Sequence, residues 1–120
     1  MPHRFQGDRT LLRVFFGESD TYQGRPLHQV LLDRFRERGV AGATVLRGAQ
    51  GFGARSTLHT ISLGRLSLDL PLVLEVVETE EAIQTLLPAL DDLLAGGLVT
   101  LERVRVITYR PGLEGLNPDA

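Results

Sequence analysis

The amino-acid sequence predicts an α+β fold of the ferredoxin-like type. This is a βαββαβ sandwich with a four-stranded antiparallel sheet and two helices on one face. Two observations lead to it. Short β-branched and aromatic segments alternate with two segments whose apolar residues recur at helical spacing, in the order strand, helix, strand, strand, helix, strand. Glycine and proline stand near the boundaries of several of these segments, where such elements begin or end.

The first half of the chain contains a strand, a helix and a second strand. The run LLRVFFG predicts a strand over Leu11–Gly17. Pro26 is tolerated as a first helical residue, and Gly39 is a natural stop. Between them, the residues at helical spacing are Leu27, Val30, Leu31 and Phe35. A second strand is predicted over Ala43–Gly48.

The second half repeats this pattern with a longer helix. Leu70–Val77 is the third predicted strand, and Glu78–Ala95 is the second helix, with Thr79 as its cap. The apolar stripe of that helix consists of Ile83, Leu86, Leu87, Leu90 and Leu94. Val99–Tyr109 is the last strand, and a slip in its alternation predicts a bulge at Glu102-Arg103.

Alternation along the strands assigns residues to the two faces of the sheet. Right-handed crossovers are expected to place the first and third strands side by side and parallel, with the last strand beside the first. The helix-facing residues are then Leu12, Val14, Phe16, Leu72, Leu74 and Val76. The opposite face carries Arg13, Phe15, Val73, Glu75, Val77, Arg105, Ile107 and Tyr109. This mixture predicts an oligomer interface, with Arg13, Glu75 and Arg105 as a row of ion pairs; the alternative is a monomer with an irregular face.

Composition limits the classes of function. The 120 residues fit one domain over 11–109, with a flexible N-terminal tail (1–10) and a loose C-terminal tail (110–120). A net charge of −2 predicts no bulk attraction to nucleic acid or anionic membranes. The absence of cysteine excludes disulfides, thiolate catalysis and cysteine metal sites. No apolar run is long enough for a signal core or membrane span, so a cytoplasmic location and no membrane insertion are expected.

The segment 48–69 is the candidate functional loop, because it is too long for a simple hairpin turn. The candidate ligand-binding residues are Arg47, Gly48, Gly51, Phe52, Gly53 and Arg55. Backbone N–H groups of the glycines are suited to an anion, and the two arginines to a phosphate or carboxylate. The alternatives are a glycine hinge and, for the two arginines, surface solvation or an ion pair between subunits. Phe52 either stacks on a base or packs on a neighbouring subunit.

Other polar residues give weaker signals. His28 and His59 are isolated in the sequence, so solvated histidines are expected rather than metal ligands. Glu18 and Asp20 follow the first strand, where we expect them to position the loop or pair with Arg25. No catalytic residues and no metal ligands are predicted.

Three segments resemble the small PII-like proteins, relatives of the PII nitrogen-signalling proteins. They are GATVLRGAQGFG, LSLDLPLVLEVVETEEAI and GGLVTLERVRV. The match also includes FFGESDTYQGRPLHQVLLDRFRERGVAGATV and covers nearly all of Leu11–Val106. It implies a trimer, an adenine nucleotide between subunits and a partner-docking loop at 48–69. PII proteins also wrap phosphates with a lysine-containing loop after the second helix. Here that connection is Ala95–Leu98, without lysine.

The sequence therefore favours a non-catalytic, PII-like signalling or regulatory protein. Its effector would be an adenine nucleotide or another anion in the intersubunit clefts. Its partner would be a transporter or an enzyme, contacted through loop 48–69. The alternative is a structural or divalent-metal-tolerance type of homotrimer without an effector. An enzyme is disfavoured, because the sequence offers no cysteine, no clustered histidines and no acid–base pair.

Overall fold

The computed structural model describes residues 5–53 and 69–110. Its elements are β1 (Phe5–Gly17), β2 (Thr21–Tyr22), β3 (Arg25–Pro26), α1 (Leu27–Glu37), β4 (Thr44–Arg47), β5 (Pro71–Glu78), α2 (Glu80–Leu93) and β6 (Leu98–Tyr109). Four strands form one antiparallel sheet in the order β4-β5-β1-β6. Strands β2 and β3 form a separate small hairpin within the polar connection that precedes α1. The predicted ferredoxin-like α+β fold is confirmed.

The central strands β1 and β5 are neighbours, as predicted, but they are antiparallel rather than parallel. After the crossover through α1, the chain runs parallel to β1 and forms β4 at the edge of the sheet. The connection from β4 to β5 then reverses the chain, because these two strands pair antiparallel. The strand inserted beside β1 must therefore run opposite to it.

Both helices cover the same face of the sheet. The central strands contribute the predicted apolar residues, and each helix contributes its apolar stripe, although Leu87 and Leu94 of the second stripe are only partly buried and Leu93 is buried instead. Phe35 of α1 is fully buried, with none of its surface exposed to solvent. The buried core consists of Leu12, Val14, Phe16, Leu27, Val30, Leu31, Phe35, Leu72, Leu74, Val76, Ile83, Leu86, Leu90 and Leu93.

Strand β1 begins six residues earlier than predicted. The prediction of a flexible tail over 1–10 is wrong from residue 5 onward. Residues 5–10 belong to β1, because β6 is long enough to pair with them. Asp8 lies opposite Arg105, and Thr10 lies opposite Arg103. Residues 1–4 and 111–120 lie outside the described residues, so the remaining tails stay predictions.

The pairing of β6 with β1 is regular through Glu102-Arg103, so the predicted bulge at that position is wrong. The register shifts instead between Phe5 and Gly7, near the end of β6. Without that bulge, alternation continues through the middle of β6, so the side chains that face the helices differ from the predicted ones. The residues on the other face of the sheet, away from the helices, differ accordingly.

A hydrogen-bonded carboxylate joins the start of α2 to β1. Thr79 caps the helix, since its Oγ1 accepts a hydrogen bond from the Ala82 N–H at 3.1 Å. Glu80 accepts from Gln84 Nε2 at 2.7 Å and from Thr10 Oγ1 at 2.9 Å. The bond from Gln84, followed by that from Thr10, lowers the pKa of Glu80 below its ordinary value of 4.5.

Replacing Glu80 by glutamine should reduce the sensitivity of the fold to acid. Because the pKa of Glu80 is lower in the folded chain, its ionised form stabilises the fold above pH 4.5. This contribution is lost as the pH falls through the lower, folded value. The decrease in melting temperature between about pH 7 and about pH 3 should therefore be smaller for E80Q than for the unmodified chain. Circular dichroism melts measure it, with E81Q as the exposed neighbouring control. Equal decreases for E80Q and the unmodified chain would contradict the assignment.

Candidate functional site

The base of loop 48–69 lies where β4 ends and β5 begins. Five of the six candidate binding residues are described here, from Arg47 to Gly53. Arg55 and the predicted mobile loop beyond it lie outside the described residues. A ligand-binding role for the six therefore stays a prediction.

Two of the candidate glycines pack directly on Pro71, the first residue of β5. The Gly48 N–H donates to the Pro71 carbonyl oxygen at 2.7 Å. A Cβ atom on Gly48 would lie 2.8 Å from Pro71 Cγ, and one on Gly51 would lie 3.0 Å from the same atom. Both positions need glycine because a side chain would displace the proline ring. Phe52 follows them and is 75% exposed, so it contributes nothing to the core of a single subunit.

Arg47 forms an ion pair with Glu18 across the end of the sheet. Arg47 is the last residue of β4 and lies opposite Leu72, which faces the helices. Its Nη2 donates to Glu18 Oε2. Arg47 is thus directed towards Glu18 on the helix side of the sheet.

The predicted pairing of Glu18 or Asp20 with Arg25 is wrong. Arg25 instead binds Asp33 of α1, with 2.8 Å between Nη2 and Oδ2. Asp20 accepts a hydrogen bond from the Gly17 N–H at 3.0 Å and so closes the turn after β1.

This turn after β1 also contacts both ends of the loop. The Glu18 N–H donates to the Leu70 carbonyl oxygen at 2.9 Å, and the Ser19 N–H donates to Asp69 Oδ1 at 2.9 Å. Together with the ion pair to Arg47, these bonds connect one turn to the residues on either side of the loop. The expected role of Glu18 in positioning the loop fits this arrangement.

A cavity of about 250 Å³ lies beside the Glu18–Arg47 pair. Its lining residues are Glu18, His28, Val45, Arg47 and Leu72. The Nδ1 atom of His28 is buried and has no hydrogen-bond partner among residues 5–53 and 69–110. Sequence reasoning treated His28 as an isolated histidine, because its neighbours in this cavity come from other elements of the chain. Within the described residues, no group of three histidine or acidic side chains is arranged to hold a metal ion.

The open face of the sheet, the face away from the helices, carries an ion-pair network. Arg13 Nε lies 2.9 Å from Glu75 Oε2, and Arg13 Nη1 lies 3.0 Å from Glu102 Oε1. The hydrogen bond to Glu75 is the main reason that the pKa of Arg13 is raised above its ordinary value. The prediction that Arg105 is the third member is wrong. Arg105 lies opposite Asp8, and alternation along the strands places both residues on the helix side of the sheet. Glu102 takes its place, so the network contains one cation and two carboxylates.

An apolar row crosses all four strands next to this network. Leu46 lies opposite Val73, Val73 lies opposite Phe15, and Phe15 lies opposite Leu98. The two ends of the row are largely exposed, at 48% for Leu46 and 55% for Leu98. We define these four residues as the apolar row. Phe15 and Val73 were expected on this face, whereas Leu46 and Leu98 emerge only once the register is known.

Comparison with known proteins places the chain in a family. A family model described as an uncharacterized ACR, DUF190, matches residues 9–106. The chain belongs to the DUF190 family. A UPF0166 protein of Aquifex aeolicus is 38% identical over 99 residues, which cover 82% of this chain and 93% of the relative. A UPF0166 protein of Methanocaldococcus jannaschii is 30% identical over 92 residues, covering 76% of this chain and 84% of the relative.

Solved structures show the same fold in PII-like proteins. A protein of Thermus thermophilus, described as PII-like and signalling, has a TM-score of 0.61 and 18% identity, with coverage of 85% of this chain and 92% of that one. CPII of Thiomonas intermedia, bound to ADP and bicarbonate, has a TM-score of 0.57 and 20% identity, with coverage of 87% and 91%. The predicted PII-like relationship of this DUF190 member is confirmed at the level of the fold. Among residues 5–53 and 69–110, no helix has the length and apolar character needed to cross a membrane.

Proposed function

We propose that this DUF190 protein is a non-catalytic regulatory module that assembles as a homotrimer and binds a small effector between subunits. The effector is an adenine nucleotide or another anion, contacted by Arg47, Gly48, Gly51, Phe52, Gly53 and Arg55. Loop 48–69 then contacts a transporter or enzyme. The fold shared with CPII, solved with ADP and bicarbonate, carries this proposal.

The open face of the sheet supports assembly. It combines the apolar row with an ion-pair network in which Arg13 and Glu75 are only 37% and 31% exposed in the single subunit. A surface of this composition is typical of an interface between copies of a chain. The two edges of the sheet, β4 and β6, are different strands, so edge-to-edge contact between copies joins unlike surfaces. Contacts between unlike surfaces form rings such as trimers when the rotation between copies closes.

The exposed Phe52 supports an effector site beside the loop base. A ring that is 75% exposed in one subunit is available to stack on a base or to pack on a neighbour. Gly48 and Gly51 fix the backbone that leads to it through their packing on Pro71.

ADP is expected to raise the melting temperature of the purified protein. A ligand that binds only the folded state adds about 2.7 kcal/mol at a free concentration about 100 times its Kd. Thermal shift with ADP and with GDP at equal concentration separates recognition of adenine from simple phosphate binding. F52A is the test variant, and I107A is the control, because Ile107 is 70% exposed but lies far from the loop in the sequence. Loss of the ADP shift in F52A alone is the expected result.

Sedimentation velocity of the same samples tests the assembly. A trimer that shows no thermal shift with ADP or GDP would favour the structural homotrimer over the regulatory module. A monomer at micromolar concentration would overturn the proposed assembly and the intersubunit site together.

A further inference from the structure

We propose that the cavity between α1 and β4 binds a small monocarboxylate, which takes the place of Glu18 on Arg47. This goes beyond the effector site proposed above, because the ligand would contact His28, Val45 and Leu72, which are not among the residues proposed to contact the effector.

The size of the cavity selects a small ligand. Its volume of about 250 Å³ holds about eight water-sized groups, at about 30 Å³ each. An adenine nucleotide is larger than this space. A carboxylic acid of three to five carbons has few enough atoms to fit within it.

Charge then selects a single carboxylate. Arg47 presents a guanidinium fork, and its partner in the structure is itself a carboxylate, that of Glu18. A ligand carboxylate can reproduce that contact. Glu18 remains in the cavity wall, held by its backbone bond to Leu70, so a second negative charge on the ligand would meet repulsion. A dicarboxylate or a phosphate dianion is disfavoured for this reason.

His28 and the apolar walls complete the site. A buried N–H donor without a partner is rarer than a buried acceptor without one. Because Nδ1 of His28 is buried without a partner, we assign the ring proton to Nε2. The ring then offers Nε2–H as its donor to a ligand oxygen. Val45 and Leu72 supply an apolar surface for a short alkyl chain.

Occupancy of this cavity changes a contact at the base of the loop. Arg47 immediately precedes Gly48, and the ion pair with Glu18 connects this residue to the turn after β1. A ligand that takes Arg47 from Glu18 removes that connection. The bond from Ser19 to Asp69 at the other end of the loop stays in place.

Titration with sodium butyrate, followed by NMR of labelled protein, tests the proposal. We expect saturable shifts of the His28 ring and Val45 methyl signals, together with faster exchange of the Gly48 amide proton. R47Q should weaken butyrate binding roughly tenfold or more, because it removes the charged fork. E18Q should strengthen binding, because it removes the competing carboxylate. R25Q is the matched control, since it breaks the ion pair with Asp33 outside the cavity.

Three results would overturn the inference. The first is the absence of saturable shifts at His28 and Val45 in both the unmodified chain and E18Q. The second is an equal loss of binding in R25Q and R47Q, which would indicate nonspecific charge effects. The third is tighter binding of inorganic phosphate than of butyrate, measured at the His28 and Val45 signals, which would exclude a monocarboxylate as the ligand class of this cavity. The His28 and Val45 signals report on this cavity and belong to no residue of the proposed effector site, so the two proposals fail separately.

Discussion

Replacing Phe35 by alanine is expected to lower the free energy of unfolding by about 3–5 kcal/mol. Phe35 lies on α1, has no exposed surface and belongs to the core cluster between the helices and the sheet. Its removal eliminates apolar burial and leaves a cavity that the surrounding side chains fill only in part. Because a domain of this size is stable by about 5–15 kcal/mol, the variant should be near its limit of folding. Urea unfolding measures the change.

Phe52 supplies the matched control for this experiment. It is the same residue type but is 75% exposed, so F52A should leave the unfolding free energy of the isolated subunit nearly unchanged. A loss of less than about 1 kcal/mol in F35A would show that α1 does not pack on the sheet as described.

Replacing Arg13 by methionine is expected to weaken assembly of the proposed trimer roughly tenfold or more. The substitution leaves Glu75 and Glu102 without their shared cation on the open face. Burial of two unpaired carboxylates opposes association, although the apolar row is intact. Sedimentation equilibrium measures the dissociation constant.

Two further variants make this result specific. The triple substitution of Arg13, Glu75 and Glu102 by methionine should restore assembly, because an apolar replacement removes the unpaired charges. R25M changes an exposed ion pair and should have no effect on assembly. If R13M assembled as well as the unmodified chain, the open face would not be the interface.

Most of the fold could be predicted because local signals agree with it. The spacing of Leu27, Val30, Leu31 and Phe35 identified α1, and Thr79 marked the start of α2. The beginning of β1 was missed because the stretch before Leu11 is polar, and its pairing with β6 has no local signal. The direction of β5 relative to β1 follows from the chain path rather than from any residue.

The site was harder to predict because it depends on register and on distant contacts. A bulge expected at Glu102-Arg103 would have placed Arg105 on the open face, whereas the regular pairing places Glu102 there. Likewise, nothing local connects Glu18, in the turn after β1, to Arg47 at the end of β4. The two residues meet only when both strands pair with β5. Single-residue patterns identify ionisable groups, but pairing decides which of them meet.

The turn after β1, which contacts the chain at both ends of loop 48–69, has a consequence for how this protein can change over evolution. With both ends held by the turn and by Pro71, the cost of a longer loop is one of chain-closure entropy. Each doubling of the length of a flexible loop costs only about 0.6 kcal/mol. The sheet can therefore keep its stability while insertions lengthen the loop, without redesign of the core.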